Sequence, residues 1–247
     1  MRVIVVKTKE EMGKTAAAII AAGMRARPHY VLGLATGSTP IPLYKELARL
    51  HKEEGLDFST TISFNLDEYI GLPPTHDQSY RHFMNQELFD HININKLGTH
   101  VPDGQAADID DHCLDYEAMI EDVGGIDCQV LGIGGNGHIG FNEPGSSLAS
   151  RTRAVDLTEE TIRDNARFFA SIDLVPKRAI SMGIGTVLES ETILMLASGA
   201  NKARAVAAAL EGPISIKVPA SALQLHPEVT YVLTEDAATG LTLKYRK

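Results

Sequence analysis

Short β-branched runs alternate with capped helical stretches along the whole chain, and this order limits the fold more than any other feature. Residues 2–6 (RVIVV), 30–35 (YVLGLA), 61–66 (TISFNL), 129–133 (QVLGI), 179–183, 192–197 (TILMLA) and 229–234 each have the length and apolar content of one buried strand. Thr8 to Glu11 matches a capping box that opens a helix over 9–25, which Pro28 ends. Thr39 reads as an N-cap and Pro40 as the first residue of a helix reaching about residue 54. Further helices are expected over about 79–88, 108–123, 159–169 and 202–211. Alternating strands and helices predict an α/β fold: an open, mostly parallel sheet with helices on both faces, a Rossmann-like three-layer arrangement. The 247 residues contain no repeat, low-complexity stretch or linker, so a single domain is expected. The segment 151–175 is the most polar helical excursion and is expected to act as a helical lid.

Several function classes drop out. A formal net charge of -9 without basic stripes argues against a general nucleic-acid surface. The apolar run near the N-terminus and the alanine-rich run 16–22 are too short to cross a membrane. Cys113 and Cys128 form no CxxC pair or disulfide framework, which fits a cytoplasmic setting. No HExxH, cysteine cluster or EF-hand spacing points to a metal. A serine-hydrolase GxSxG and a Walker GK[ST] are also missing. GIGGNG is a weak dinucleotide fingerprint, because its polar continuation into Pro144 opens no helix.

Polar clusters fall at the C-terminal ends of several strands, where open parallel sheets bind ligands. Gly37, Ser38 and Thr39 form a strand-to-helix turn that can aim N–H groups and hydroxyls at an anion, although a plain helix cap fits them equally well. Asp67-Glu68 follows the third strand. Asp67 could serve as a general base once desolvated, while an exposed turn acid is the blander reading of the pair. The stretch 130–145 (VLGIGGNGHIGFNEPG) ends a buried strand in a glycine-rich turn carrying Asn136, His138 and Glu143. Ser198 to Lys202 places a lysine at a helix start, against the dipole, which suits an anionic partner. Arg167 adds a second cation from the expected lid, or lies on a solvated helix face. A phosphate grip, one separate base and a His–Glu pair suit proton shuffling on a small phosphorylated metabolite.

LATGSTP at 34–40, FNLDEY at 64–69, GNGHIGFNEPG at 135–145, NARFF at 165–169 and SALQLHP at 221–227 together resemble the glucosamine-6-phosphate deaminase (isomerising) family, in order and over nearly the whole chain. The resemblance implies conversion of glucosamine 6-phosphate and water to fructose 6-phosphate and ammonia, in amino-sugar catabolism, with no metal or organic cofactor. It implies that His138, supported by Glu143, opens the sugar ring and that Asp67 moves the C2 proton to C1. Gly37, Ser38, Thr39, Arg167 and Lys202 match the family's phosphate ligands. Asn136 stands where better-known enterobacterial members carry Asp, so it can orient an imidazole by accepting a hydrogen bond but supplies no charge.

Val155 stands where the allosteric members place a lysine, and the chain resembles the family's shorter members, so a monomer or small homo-oligomer with little or no allosteric activation is expected. Galactosamine 6-phosphate remains open as a substrate. A 6-phosphogluconolactonase is disfavoured by Phe141 to Pro144, and a non-catalytic sugar-phosphate sensor by the retention of Asp67, His138 and Glu143.

Overall fold

Val31–Leu34 (β2) is buried along its whole length, as a central parallel strand covered on both faces must be. In the computed structural model, which describes residues 1–166 and 169–242, β2 lies in a seven-stranded sheet. The other members are Arg2–Val6 (β1), Ile62–Asn65 (β3), Thr99–His100 (β5), Cys128–Gly132 (β6), Thr192–Ala197 (β9) and Val229–Thr234 (β10). Their order is β1-β10-β9-β6-β2-β3-β5, and every pairing is parallel.

Period-two alternation sorts the side chains into two cores. Leu32, Leu34, Val130, Leu194, Leu196 and Val232 pack against Lys9–Ala26 (α1) and Ile41–Glu54 (α2), through Met12, Ala16, Ile20, Leu43 and Leu47. Val31, Leu131, Ile193, Met195, Tyr231 and Leu233 face the opposite layer. There they meet Tyr116 and Ile120 of Ile109–Asp122 (α4), Ile184 and Val187 of Ile184–Leu188 (α6), and Val206 and Ala209 of Ala203–Glu211 (α7). The three-layer α/β expectation is met.

The chain runs outward from β2 to β3 and β5, then returns to the other side of β2 as β6 and continues to β9 and β10. The sheet therefore changes direction between β2 and β6. The loops leaving these two strands part at their C-terminal ends and open a crevice there.

A second sheet, unexpected from the sequence, closes one side of that crevice. Asp67–Tyr69 (β4), Arg178–Ser181 (β8) and Arg153–Asp156 (β7) pair antiparallel in the order β4-β8-β7. Asp67 therefore begins a strand of its own rather than the exposed end of β3. The run at 179–183 belongs to this small sheet and not to the parallel one. The polar excursion 151–175 begins as strand β7, and its helix, Glu159–Asn165 (α5), stops short of the expected residue 169. The two-residue β5 was also missed, because it is too short to carry a periodic signal.

Candidate active site

The turn after β2 is set by Tyr44, whose hydroxyl donates to the Ala35 carbonyl and pins α2 to the strand end. Gly37 adopts φ 92, a left-handed conformation that disfavours a side chain. Helix α2 is preceded by Pro40 with no side-chain cap, one residue later than the sequence suggested. Thr39 is thus not spent as a cap. Thr36, Gly37, Ser38 and Thr39 instead line a cavity of about 260 Å³ at the crevice between β2 and β6.

Asp67 enters this cavity from β4 and is only 6% exposed. Burial, with the neighbouring Glu68 charge, pushes its carboxyl up to about 8. Glu68 is buried too, so neither acid is an exposed turn residue. It accepts backbone N–H bonds from Tyr69 (2.9 Å), Tyr80 (3.0 Å) and Arg81 (3.0 Å), fastening β4 to the first turn of Tyr80–Glu87 (α3). Burial still raises the Glu68 carboxyl above its ordinary value, with these bonds opposing the shift.

The loop after β6 faces Asp67. A Cβ built on Gly140 would lie 3.4 Å from Asp67 Oδ2, so the carboxylate sits close to the loop backbone. The Gly134 N–H donates to the His138 carbonyl at 2.9 Å, closing the turn. The imidazole then lies over Gly134, where a Cβ would meet ring atoms at 2.2–2.4 Å. Gly134→Ala should therefore displace the ring without unfolding the chain, and lower turnover at least about tenfold with far-ultraviolet circular dichroism unchanged. Unaltered turnover would mean that the ring's position does not matter.

His138 Nδ1 lies 3.5 Å from Glu143 Oε2, an electrostatic contact longer than a good hydrogen bond. Asn136 departs from its expected role. Its Nδ2 donates to Glu143 Oε2 at 2.8 Å and its Oδ1 accepts the His138 backbone N–H at 3.1 Å. It orients the carboxylate and the main chain, not the ring. Burial acts to raise the Glu143 carboxyl, but His138, Thr161 and Asn136 together hold it down to about 2. Glu143 is thus a fixed anion beside the imidazole.

The rest of the loop is braced from all sides. Asn142 Nδ2 donates to the Ile139 and Met182 carbonyls at 2.9 and 2.8 Å, and its Oδ1 accepts Arg153 at 2.9 Å. The Phe141 N–H donates to Ser181 Oγ at 3.1 Å.

Gly37, Ser38, Thr39, Asp67, His138 and Lys202 all border the one cavity, while Asn136 and Glu143 stand behind His138. Lys202 ends a short 3-10 turn, Ala200–Lys202, that follows Gly199 (φ 99) and leads into α7. Arg167 lies outside the described residues. Tyr80, Thr161 and Asn165 also line the cavity, and sequence reasoning missed them. For Thr161 a signal existed: it sits three residues after the N-cap Thr158, in the capping-box position where Glu or Gln is usual. No group of three or more metal-ligating side chains occurs among the described residues.

Comparison with known proteins agrees with this geometry. The family model for glucosamine-6-phosphate isomerases/6-phosphogluconolactonase matches residues 6–232. The chain is 53% identical over 238 residues to a glucosamine-6-phosphate deaminase of Clostridium perfringens, covering 96% of this chain and 98% of that one. It is also 53% identical over 241 residues to the deaminase of Halothermothrix orenii, covering 98% and 100%. The solved structure of a monomeric glucosamine-6-phosphate deaminase superposes with TM-score 0.95 at 48% identity, covering 97% of this chain and 100% of that one. A 6-phosphogluconolactonase from Trypanosoma cruzi shares the fold at TM-score 0.78 and 20% identity, covering 98% and 97%. The chain belongs to the glucosamine-6-phosphate isomerase/6-phosphogluconolactonase family, among its glucosamine-6-phosphate deaminases.

Proposed function

We propose that this cavity converts glucosamine 6-phosphate and water to fructose 6-phosphate and ammonia, with Asp67 and the His138–Glu143 pair dividing the proton transfers. The observation that carries the reading is the placement of a buried carboxyl and an imidazole–carboxylate pair, from separate loops, around one polar cavity. The phosphate would sit against Gly37, Ser38, Thr39 and Lys202, with Arg167 as a further ligand. His138 takes the proton of the C1 hydroxyl and returns it to the ring oxygen, which opens the ring to the aldehyde. The fixed Glu143 anion favours the imidazolium formed between those two transfers. Asp67 then removes the C2 proton, the C1 oxygen takes a proton from the C2 ammonium to give a C1–C2 enolamine, and Asp67 delivers its proton to C1. The resulting C2 iminium adds water and expels ammonia, leaving the ketone. Phosphate contacts hold C1 and C2 between the two bases, which supplies rate through orientation.

Asp67 must be ionised to act. A substrate ammonium at C2 beside it would favour the carboxylate, so the acid limb of the kcat profile should lie below the value of about 8 that burial sets. A kcat limb at or above pH 8 would contradict that placement. We also propose a cytoplasmic monomer. Both cysteines are free and buried, and no helix among the described residues is long and apolar enough to cross a membrane. The likeness to a monomeric deaminase supports the oligomeric state, which sedimentation tests. The segment carrying α5 is proposed as the lid, since Thr161 and Asn165 border the cavity. Coupled assays for ammonia and fructose 6-phosphate test the reaction itself.

A further inference from the structure

Helix α5 reaches the catalytic loop through hydroxyl groups. Thr161 is 7% exposed, borders the cavity, and donates from Oγ1 to Glu143 Oε1 at 2.5 Å. Thr158, the N-cap of α5, accepts the Thr161 backbone N–H at 3.2 Å. Its own hydroxyl lies 3.1 Å from Thr161 Oγ1 and 3.5 Å from Glu143 Oε1. A hydroxyl has one proton to give. When Thr158 donates to Thr161, the Thr161 proton is left to point at Glu143. The other Glu143 oxygen takes Asn136 and faces His138. The carboxylate is therefore held on one side by its own loop and on the other by α5. The helix does not need this bond for itself. Thr158 already caps it, and a threonine serving only its own helix would turn its hydroxyl back onto a carbonyl one turn earlier.

We propose that Thr161 is a positioning residue for ring opening: it fixes the Glu143 carboxylate beside His138 only while α5 is seated over the cavity. Seating of the helix and arming of the imidazole are then one event. An unseated α5 leaves Glu143 a hydrogen bond short and free to turn from the ring, so the cyclic sugar is not opened in a site still exposed to water. The inference rests on the deaminase reading of the site.

The test compares the parent protein with Thr161→Val and Thr161→Ser. Valine keeps the shape and loses the hydroxyl, while serine keeps the hydroxyl. Turnover of glucosamine 6-phosphate is measured beside inhibition by 2-amino-2-deoxy-D-glucitol 6-phosphate, an open-chain probe with no ring to open. A hydrogen bond to a charged group is worth enough for Thr161→Val to lower kcat at least about tenfold. The probe's inhibition constant should stay within about twofold, and Thr161→Ser should restore most of kcat. Parental kcat in Thr161→Val, equal losses of kcat and probe binding, or failure of serine to rescue would each overturn the proposal. If the valine variant does not fold, Thr161→Ala against Thr161→Ser carries the same comparison. A parent protein that does not turn over glucosamine 6-phosphate would instead strike the functional reading, before any variant is compared.

Discussion

Asp67→Asn should lose about 10²–10⁴-fold in kcat and yet be more stable than the parent protein. The loss follows from removing the base that moves the C2 proton, a role worth that factor in enzymes generally. The gain follows from burial. The Asp67 carboxyl lies at about 8 in the folded chain, against 3.8 for an ordinary aspartate. Across that window the folded state keeps a proton that the unfolded state has released, so rising pH favours unfolding. At about 1.4 kcal/mol per pKa unit, the accumulated cost is several kcal/mol. Asparagine has no proton to lose. The difference in denaturation midpoint between variant and parent should therefore be small near pH 4, widen up to pH 8 and level off above it. Urea titrations at a series of pH values check this. A constant gap would mean that Asp67 is not strained by burial, and a less stable variant would mean that its charge is satisfied.

His138→Gln should cost about 10²–10⁴-fold in kcat, the range for a lost acid–base group. Glu143→Gln should cost a large part of the same factor, although glutamine fills the same space. The geometry makes a sharper statement about the pair. Glu143 stands behind the imidazole, with its oxygens taken by Thr161 and Asn136, so it acts through His138 and not on the substrate. Groups that act as a unit are strongly non-additive. The double variant should thus be no worse than His138→Gln alone, within about threefold. Losses that multiply would mean that Glu143 has its own contact with the sugar.

Much of the architecture was legible because it rests on local periodicity. The strand runs are short and apolar, and Thr8 caps its helix as its capping box predicts, accepting the Glu11 N–H, although Thr39 does not cap α2. Sheet membership was not legible. Residues 179–181 read as a strand correctly, but nothing local says that they pair with Asp67–Tyr69, more than a hundred positions earlier, rather than with the parallel sheet. The three residues of β4 are too few to show a period. The burial of Asp67 depends on that hidden pairing, which is why it looked like a candidate turn acid. In the site, His138 and Glu143 stood out by type and density. Asn136 was given the wrong partner, since the sequence shows that an amide is near an imidazole but not which way it turns. Thr161 carried only the mark of its spacing from Thr158, and nothing local shows that its hydroxyl turns to Glu143 and not back onto its own helix.

The measurement that bears most directly on the account is the yield of ammonia and fructose 6-phosphate from glucosamine 6-phosphate by the purified, folded protein. Galactosamine 6-phosphate and 6-phosphogluconolactone would run in parallel. One ammonia per fructose 6-phosphate is expected from glucosamine 6-phosphate, abolished in Asp67→Asn. Turnover of the lactone instead, or silence on all three substrates by a folded protein, would contradict it.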